Sequence, residues 1–310
     1  MADKQPSTFY RCLSVILTPV MLIHAISRSM KDGGWRYLKQ RCAVYSTAED
    51  ETPSYRWIHA ASVGEVNTVM PLIKELQQRV PKLNVLVTTT TPTGAEVLSK
   101  ASGGSIKIKH CYLPIDTKAA CTRFLRQYDV CSLWVVETEI WPWLYSCCHQ
   151  QQIPVTIINA RLSRRTTKHA RRWSGKVLGH AIKNVDILAR SSIDAERYMQ
   201  LGAAPGRTRT IGNLKHARRA EPDQVTRLSN RTYVVAASTH HDEEIQLAKR
   251  WSELPDSQQP PRLLIVIPRH PERGPEIQQR LKTLNVPCEL RSRQQEPQHE
   301  QRVYIADTVG

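Results

Sequence analysis

Apolar positions along the chain recur in two alternating rhythms. Tyr55 to Ala60 is aromatic and β-branched and predicts a strand, whereas Val66, Val69, Met70, Ile73, Leu76 and Val80 return at helical spacing and predict an amphipathic helix. The alternation continues through strand Asn84–Thr90, helix Pro92–Lys100, strand Ile106–Leu113, helix Thr117–Tyr128 and the fully apolar strand Cys131–Thr138. Helix Ile140–Gln150, strand Pro154–Asn159, strand Ile187–Ser192 and helix Asp194–Leu201, closed by Gly202, follow. Units of this kind predict a parallel α/β sheet covered on both faces. Residues 216–230 are polar, carry Pro222 and mark a linker. Beyond it the rhythm restarts with strand Tyr233–Ala237, helix Asp242–Trp251, strand Leu263–Ile267, helix Glu272–Leu284 and strands Val286–Leu290 and Val303–Ala306.

Ahead of the first strand, Cys12 to Ile26 is apolar except at Ser14, Thr18, Pro19 and His24. The run is shorter than the ~20 apolar residues that cross a bilayer comfortably, so a signal peptide, a buried helix and a membrane anchor compete. Arg28, Lys31, Arg36, Lys39 and Arg41 follow as a positively charged cytoplasmic flank would. The reading adopted is a membrane-anchor helix within residues 1–30, with the body on the cytoplasmic side. A length of 310 residues accommodates two domains at about 150 residues each. These are placed at 31–215 and 231–310 on either side of the 216–230 linker.

Charge narrows the partners. With 44 Lys+Arg against 28 Asp+Glu the chain carries +16, which favours nucleic acid, acidic lipid or a phosphorylated substrate. The eight cysteines form no C-x-x-C pair and no metal-ligand spacing with histidine, so reduced, mostly buried thiols are expected.

Candidate chemistry sits at the strand ends. Ser62-Val63-Gly64-Glu65 joins the first strand to its helix, where open α/β sheets bind ligands, although Ser62 and Glu65 also fit a capping box. Glu137 and Glu139 follow the apolar strand, and the helix dipole alone accounts for an acid there equally well. Arg161, Arg164, Arg165, Lys168, Arg171 and Arg172 share one helical face by their spacing. That face is either solvated or anion-binding. Ser238 and Thr239 precede a helix start suited to phosphate, against which Asp242, Glu243 and Glu244 argue. Arg269 and Arg273 could clamp a phosphate bidentately. Glycine-rich nucleotide fingerprints are absent. Two α/β domains, one with a carboxylate and the other with phosphate-suited turns, suggest a nucleotide-sugar transferase.

Seven segments in order carry a resemblance. They are His59-Ala60-Ala61-Ser62-Val63-Gly64-Glu65, Glu137-Thr138-Glu139-Ile140-Trp141-Pro142, Asn159-Ala160-Arg161-Leu162-Ser163, Gly212-Asn213-Leu214-Lys215, Ser238-Thr239-His240, Pro268–Arg273 and Ala306-Asp307-Thr308. Together they resemble the lipid A Kdo transferases, which move 3-deoxy-D-manno-octulosonic acid (Kdo) from CMP-Kdo to a lipid A precursor at the inner membrane's cytoplasmic face. The resemblance implies a GT-B fold of two Rossmann-like domains, acceptor-binding first and CMP-sugar-binding second, with an N-terminal anchor. It also implies an inverting reaction with no metal and no cofactor, and no nucleic acid as partner. Glu65 is then the general base and Glu139 a second acid of the acceptor site. Ser238, Thr239, Arg269 and His270 meet the donor phosphate, Lys215 meets a phosphate or carboxylate, and Arg161 and Arg164 form an anion face for the acceptor. The family continues past Thr308 into a Gly-Gly turn and a Glu motif absent here, so the resemblance implies an incomplete second domain and impaired activity. A non-catalytic fragment and a basic nucleic-acid binder are the alternatives.

Overall fold

The computed structural model describes residues 5–45, 53–101, 108–168, 173–217, 229–255, 257, 261–293 and 296–308. The chain divides into two compact units, Met1–Arg219 and Ala220–Gly310.

In the first unit, helix α1 (Thr8–Arg28) runs through a π-helical turn into α2 (Gly34–Arg41). There follow β1 (Tyr55–His59), α3 (Val63–Arg79), β2 (Asn84–Thr89), α4 (Pro92–Ala101), β3 (Ile108–Tyr112), α5 (Lys118–Gln127) and β4 (Val130–Val136). The unit continues with α6 (Pro142–Gln150), β5 (Val155–Ala160), α7 (Arg164–Lys168), α8 (Trp173–Ile182), β6 (Asp186–Ala189), α9 (Ser192–Leu201) and β7 (Thr208–Thr210). All seven strands are parallel, in the order β3-β2-β1-β4-β5-β6-β7. The chain therefore begins mid-sheet, moves outward to β3, and returns to β1's other side at β4. The strand order reverses between β1 and β4.

Both faces of this sheet are covered, which is why its central strands read as near-continuous apolar runs. Side chains alternate along β1: Trp57 stacks on Phe124 of α5 at 4.4 Å between ring centroids, while Ile58 joins Val66, Val69 and Ile73 of α3 on the opposite face. The helical stripe of α3 thins at its end, where Val80 is 49% exposed. β4 stops at Val136, earlier than its apolar run predicts, because Glu137 turns into the left-handed region at φ +63°. Thr208-Arg209-Thr210 pairs as the sheet's edge strand without any apolar signal. All eight cysteines are unpaired, and Cys111, Cys121, Cys147, Cys148 and Cys288 are buried.

Helix α1 packs lengthwise on this unit. Ser14 and Ala25 are buried, and Met21, Leu22 and Ala25 join Tyr37, Tyr112 and Ile115 in one cluster. Tyr10 Oη donates to Asp116 Oδ2 at 2.6 Å, and Trp143 Nε1 donates to Ser14 Oγ at 2.9 Å. Asp116 also accepts from the backbone N–H groups of Trp143 (3.1 Å) and Leu144 (2.8 Å). These are orphan donors of the first turn of α6, and Trp141, at that helix's N-cap, supplies no side-chain bond. A carboxylate from the loop after β3 thus caps a distant helix. Burial raises its pKa, and the donors around it oppose that rise.

The second unit comprises β8 (Tyr233–Thr239), α10 (Glu243–Glu253), β9 (Leu263–Pro268), α11 (Gly274–Thr283), β10 (Cys288–Leu290) and β11 (Val303–Ile305). Its four strands are parallel in the order β10-β11-β9-β8. Val266, Ile277, Leu281 and Ile305 centre its core. The predicted helix from Glu272 opens as a 3-10 turn, Pro271–Arg273, and becomes α-helical at Gly274. A Cβ on Gly274 would lie 2.5 Å from that of Asp307, whose carboxylate accepts from Ser292 N and Oγ.

Asp116→Ala is expected to lower stability by about 2–4 kcal/mol, because it strands Tyr10 Oη and two α6 N–H groups. Chemical denaturation measures this. A loss below about 0.5 kcal/mol, typical of ordinary surface changes, would show that solvent caps α6 instead.

Candidate active site

Because β1 and β4 are neighbours, the residues just past them share one crevice at the sheet's reversal point, where open α/β sheets place ligands. Glu65 stands in the first turn of α3 after β1, and Glu137 and Glu139 follow β4. Ser62 is extended, at φ −128°, and begins α3. Glu65 Oε2 accepts from Ala61 N at 2.7 Å, and Ser62 Oγ donates to Glu65 Oε1 at 3.2 Å. Neither bond of the capping box is made. The carboxylate takes the N–H of Ala61, ahead of the cap, and the Ser62 hydroxyl turns to Glu65 rather than to the helix. Beside it, a Cβ on Gly64 would meet nothing within 4 Å. Glycine weakens a helix by ~1 kcal/mol relative to alanine, and no packing requirement explains it here.

Burial is the largest cause of Glu65's raised pKa, which stands at about 7; the charges of Glu139 and Glu137 add to it and the Ala61 N–H opposes it. Burial raises the Glu139 carboxyl as well. Both acidic residues after β4 are held by tyrosines: Tyr145 Oη donates to the Glu139 carbonyl at 2.6 Å, and Tyr198 Oη to the Glu137 carbonyl at 3.0 Å. His59, at the end of β1, is not a competing base. It is fully buried, its Nδ1 meets Thr88, and burial pushes its pKa down to about 3, so the ring is neutral.

At two positions of the site the backbone takes conformations that apolar patterning does not reveal. Glu137 and Asn159 hold φ values of +63° and +51°, strained for non-glycine residues. Asn159 Oδ1 accepts from Leu214 N at 3.1 Å, and Lys215 Nζ lies 3.4 Å from Glu137 Oε1. Lys215 thus meets a carboxylate within the first unit. Arg161 is exposed just past β5, and its N–H donates to the Glu137 carbonyl at 3.4 Å. Arg164 is exposed at the start of α7. Arg161 precedes that helix, so the predicted single helical face does not include it. The side chains of Arg165 and Lys168, and all of Arg171 and Arg172, lie outside the described residues.

In the second unit β8 and β9 are adjacent, which brings Ser238 and Thr239 beside Arg269 and His270. Arg269 N donates to the Thr239 carbonyl at 2.8 Å, and Ser238 takes φ +60° at a bulge in β8. Ser238, Arg269 and His270 are exposed, with His270 Nδ1 at 3.4 Å from Glu272. Thr239 is buried, and its hydroxyl donates to Glu244 Oε1 at 3.3 Å. The fully buried Glu244 also takes Arg273 Nη1 at 2.9 Å. Arg273 is committed to that pair, so Arg269 stands without it as the exposed arginine of this turn. His240 N donates to Glu243 Oε2 at 2.7 Å, so one of the acids in the first turn of α10 satisfies an N–H there.

A family described as 3-deoxy-D-manno-octulosonic-acid transferase (kdotransferase) matches residues 36–218. The 3-deoxy-D-manno-octulosonic acid transferase of Haemophilus influenzae is 33% identical over 315 residues, covering 97% of this chain and 72% of that protein. The chain belongs to the Kdo transferase family. The Bordetella pertussis transferase is 32% identical over 82% of this chain, which spans 61% of its length. Among solved structures, the UDP-GlcNAc 2-epimerase of Neisseria meningitidis superposes with a TM-score of 0.53 at 13% identity, covering 83% of this chain and 73% of that one. At that identity the likeness concerns fold alone. It accords with the GT-B type of this Kdo transferase family member, two Rossmann-like units with parallel sheets.

The raised pKa of Glu65 links stability to pH. Its folded value of about 7 exceeds the ordinary 4.5, so the folded state binds this proton more tightly than the unfolded state does. The resulting stability is complete below about 4.5 and is lost as pH rises through about 7. Glu65→Gln is expected to abolish that loss and to gain stability relative to wild type between pH 5 and 8, read as the difference in Tm. Parallel Tm curves would show that Glu65 titrates in its ordinary range.

Proposed function

We propose that the chain is an inverting glycosyltransferase that moves Kdo from CMP-Kdo to a lipid A precursor at the cytoplasmic face of the inner membrane. The observation that carries this reading is Glu65, a carboxylate at the reversal point of the first sheet, with its pKa raised to about 7 and open space at Gly64 beside it. A base of this pKa is well matched to proton transfer near neutral pH. The names of the Haemophilus and Bordetella relatives supply the sugar.

In the proposed step the acceptor's primary hydroxyl oxygen attacks the anomeric carbon of Kdo while its proton passes to the Glu65 carboxylate. The bond from that carbon to the phosphate oxygen breaks, and its electron pair leaves on CMP. Attack on the face opposite the departing phosphate inverts the configuration. Glu139 sustains the proton affinity of Glu65 through its nearby charge. Lys215, at Glu137, and the exposed Arg161 and Arg164 offer positive charge to acceptor phosphates. In the second unit Arg269, with Ser238 and His270, stabilises the charge that develops on the leaving phosphate, while Thr239 shapes that turn through Glu244. The reading assigns no step to a metal or cofactor.

Glu65→Gln is expected to lower the rate of Kdo transfer by ~10²–10⁴-fold, whatever the absolute rate of the parent chain. Calorimetric CMP affinity should stay within about twofold, because the amide keeps the same shape. Arg269→Ala should show the reverse emphasis, weakening CMP binding by about tenfold or more through the loss of a charge-assisted contact. Transfer by Glu65→Gln above a tenth of the parent rate would leave Glu65 a helix-capping residue only.

A further inference from the structure

We propose that α1 lies flat on an anionic bilayer surface, bound to the protein body along one face and to lipid along the other, rather than crossing the membrane. The proposal rests on the membrane-facing part of the proposed function and is independent of the transfer chemistry. By length and composition the helical stretch Thr8–Arg41 could cross a membrane. At 21 residues, α1 alone reaches about 31 Å.

Its contacts argue for the flat arrangement. The body holds α1 near both ends, at Tyr10 and Ser14 through Asp116 and Trp143, and at Met21, Leu22 and Ala25 through Tyr112 and Ile115. A helix so attached runs alongside the body. To span a bilayer it would have to leave Asp116, which is 2% exposed, without its tyrosine donor and uncover the Tyr37–Tyr112 cluster. At 100° per residue the opposite face presents Phe9, Ile16, Val20 and Ile23, exposed by 51%, 70%, 60% and 66%.

The charge around this face fits lipid headgroups. Between Thr8 and Arg41 the arginines and lysines are Arg11, on the body-facing side, Arg28, Lys31, Arg36, Lys39 and Arg41, which is held by the Leu113 carbonyl; the sole acid is Asp32, which Arg28 pairs at 3.2 Å. Trp35, 66% exposed beside Lys39, is the aromatic residue favoured at a bilayer interface. An apolar face followed by the exposed bases Lys31, Arg36 and Lys39, with a tryptophan among them, is the pattern of an interfacial helix drawn to anionic lipid.

The test has two arms on the full chain. In the first, an N-terminal epitope is added and inverted inner-membrane vesicles from expressing cells are treated with protease. The flat helix predicts that epitope and body are digested together, and an epitope protected while the body is cleaved would overturn it. In the second, pelleting with vesicles of phosphatidylethanolamine and phosphatidylglycerol is compared for wild type and for Ile16→Glu combined with Ile23→Glu. These outward positions leave the body contacts intact, so circular dichroism should be unchanged while pelleting falls at least about tenfold. Undiminished pelleting would overturn the proposal. So would a wild-type dimer in solution that the double variant splits with no change in pelleting, since the face would then belong to a second copy.

Discussion

Burial of a carboxylate in a crevice that also holds other acids is the constraint on which this protein turns. The strand order of the first sheet reverses between β1 and β4, so whatever follows those strands must share space. Here that is Glu65 on one side and Glu137 and Glu139 on the other. Burial is what chiefly disfavours the ionised Glu65, and the neighbouring carboxylates add to it. The proton affinity of Glu65 is thus a product of topology as much as of its own turn. The Ala61 N–H works against it, keeping the group within reach of neutral pH rather than permanently protonated.

The crevice is braced from several directions. Tyr145 and Tyr198 hold the carbonyls of Glu139 and Glu137, and Asn159 ties the 212–215 segment to β5 so that Leu214 packs on the core against α3. Tyr145 belongs to α6, whose first turn is capped by Asp116, and Asp116 takes the hydroxyl of Tyr10 on α1. A continuous set of hydrogen-bonded elements therefore joins the N-terminal helix to the loop that carries Glu139. Buried carboxylates with full complements of donors are stable only as complete sets, which makes this path a rigid one.

Much of this was legible from the chain alone, and the rest fails for identifiable reasons. β2, β4 and β5 announce themselves because the inner strands of a sheet covered on both faces carry mostly apolar residues. β7 does not, since Thr208, Arg209 and Thr210 sit at an edge with little to bury. Glu65, Glu137 and Glu139 could be placed by their position after strands, but the positive φ angles of Glu137 and Asn159 are imposed by tertiary contacts that patterning does not show. The pairing of Lys215 with Glu137 joins residues far apart in sequence. Arg273 looks like a phosphate ligand beside Arg269 until the buried Glu244 is seen beneath it, because local spacing carries no information about what lies under a turn.

The central claim is that the crevice itself sets the ionisation of Glu65. Carbon-13 NMR of the side-chain carboxyl groups, titrated in wild type and in Glu139→Gln, measures this at the atom concerned. The account predicts a Glu65 midpoint near 7 in wild type and a lower one in the variant, with burial still holding it above the ordinary 4.5. A Glu65 midpoint near 4.5 in wild type, or one indifferent to Glu139, would contradict it.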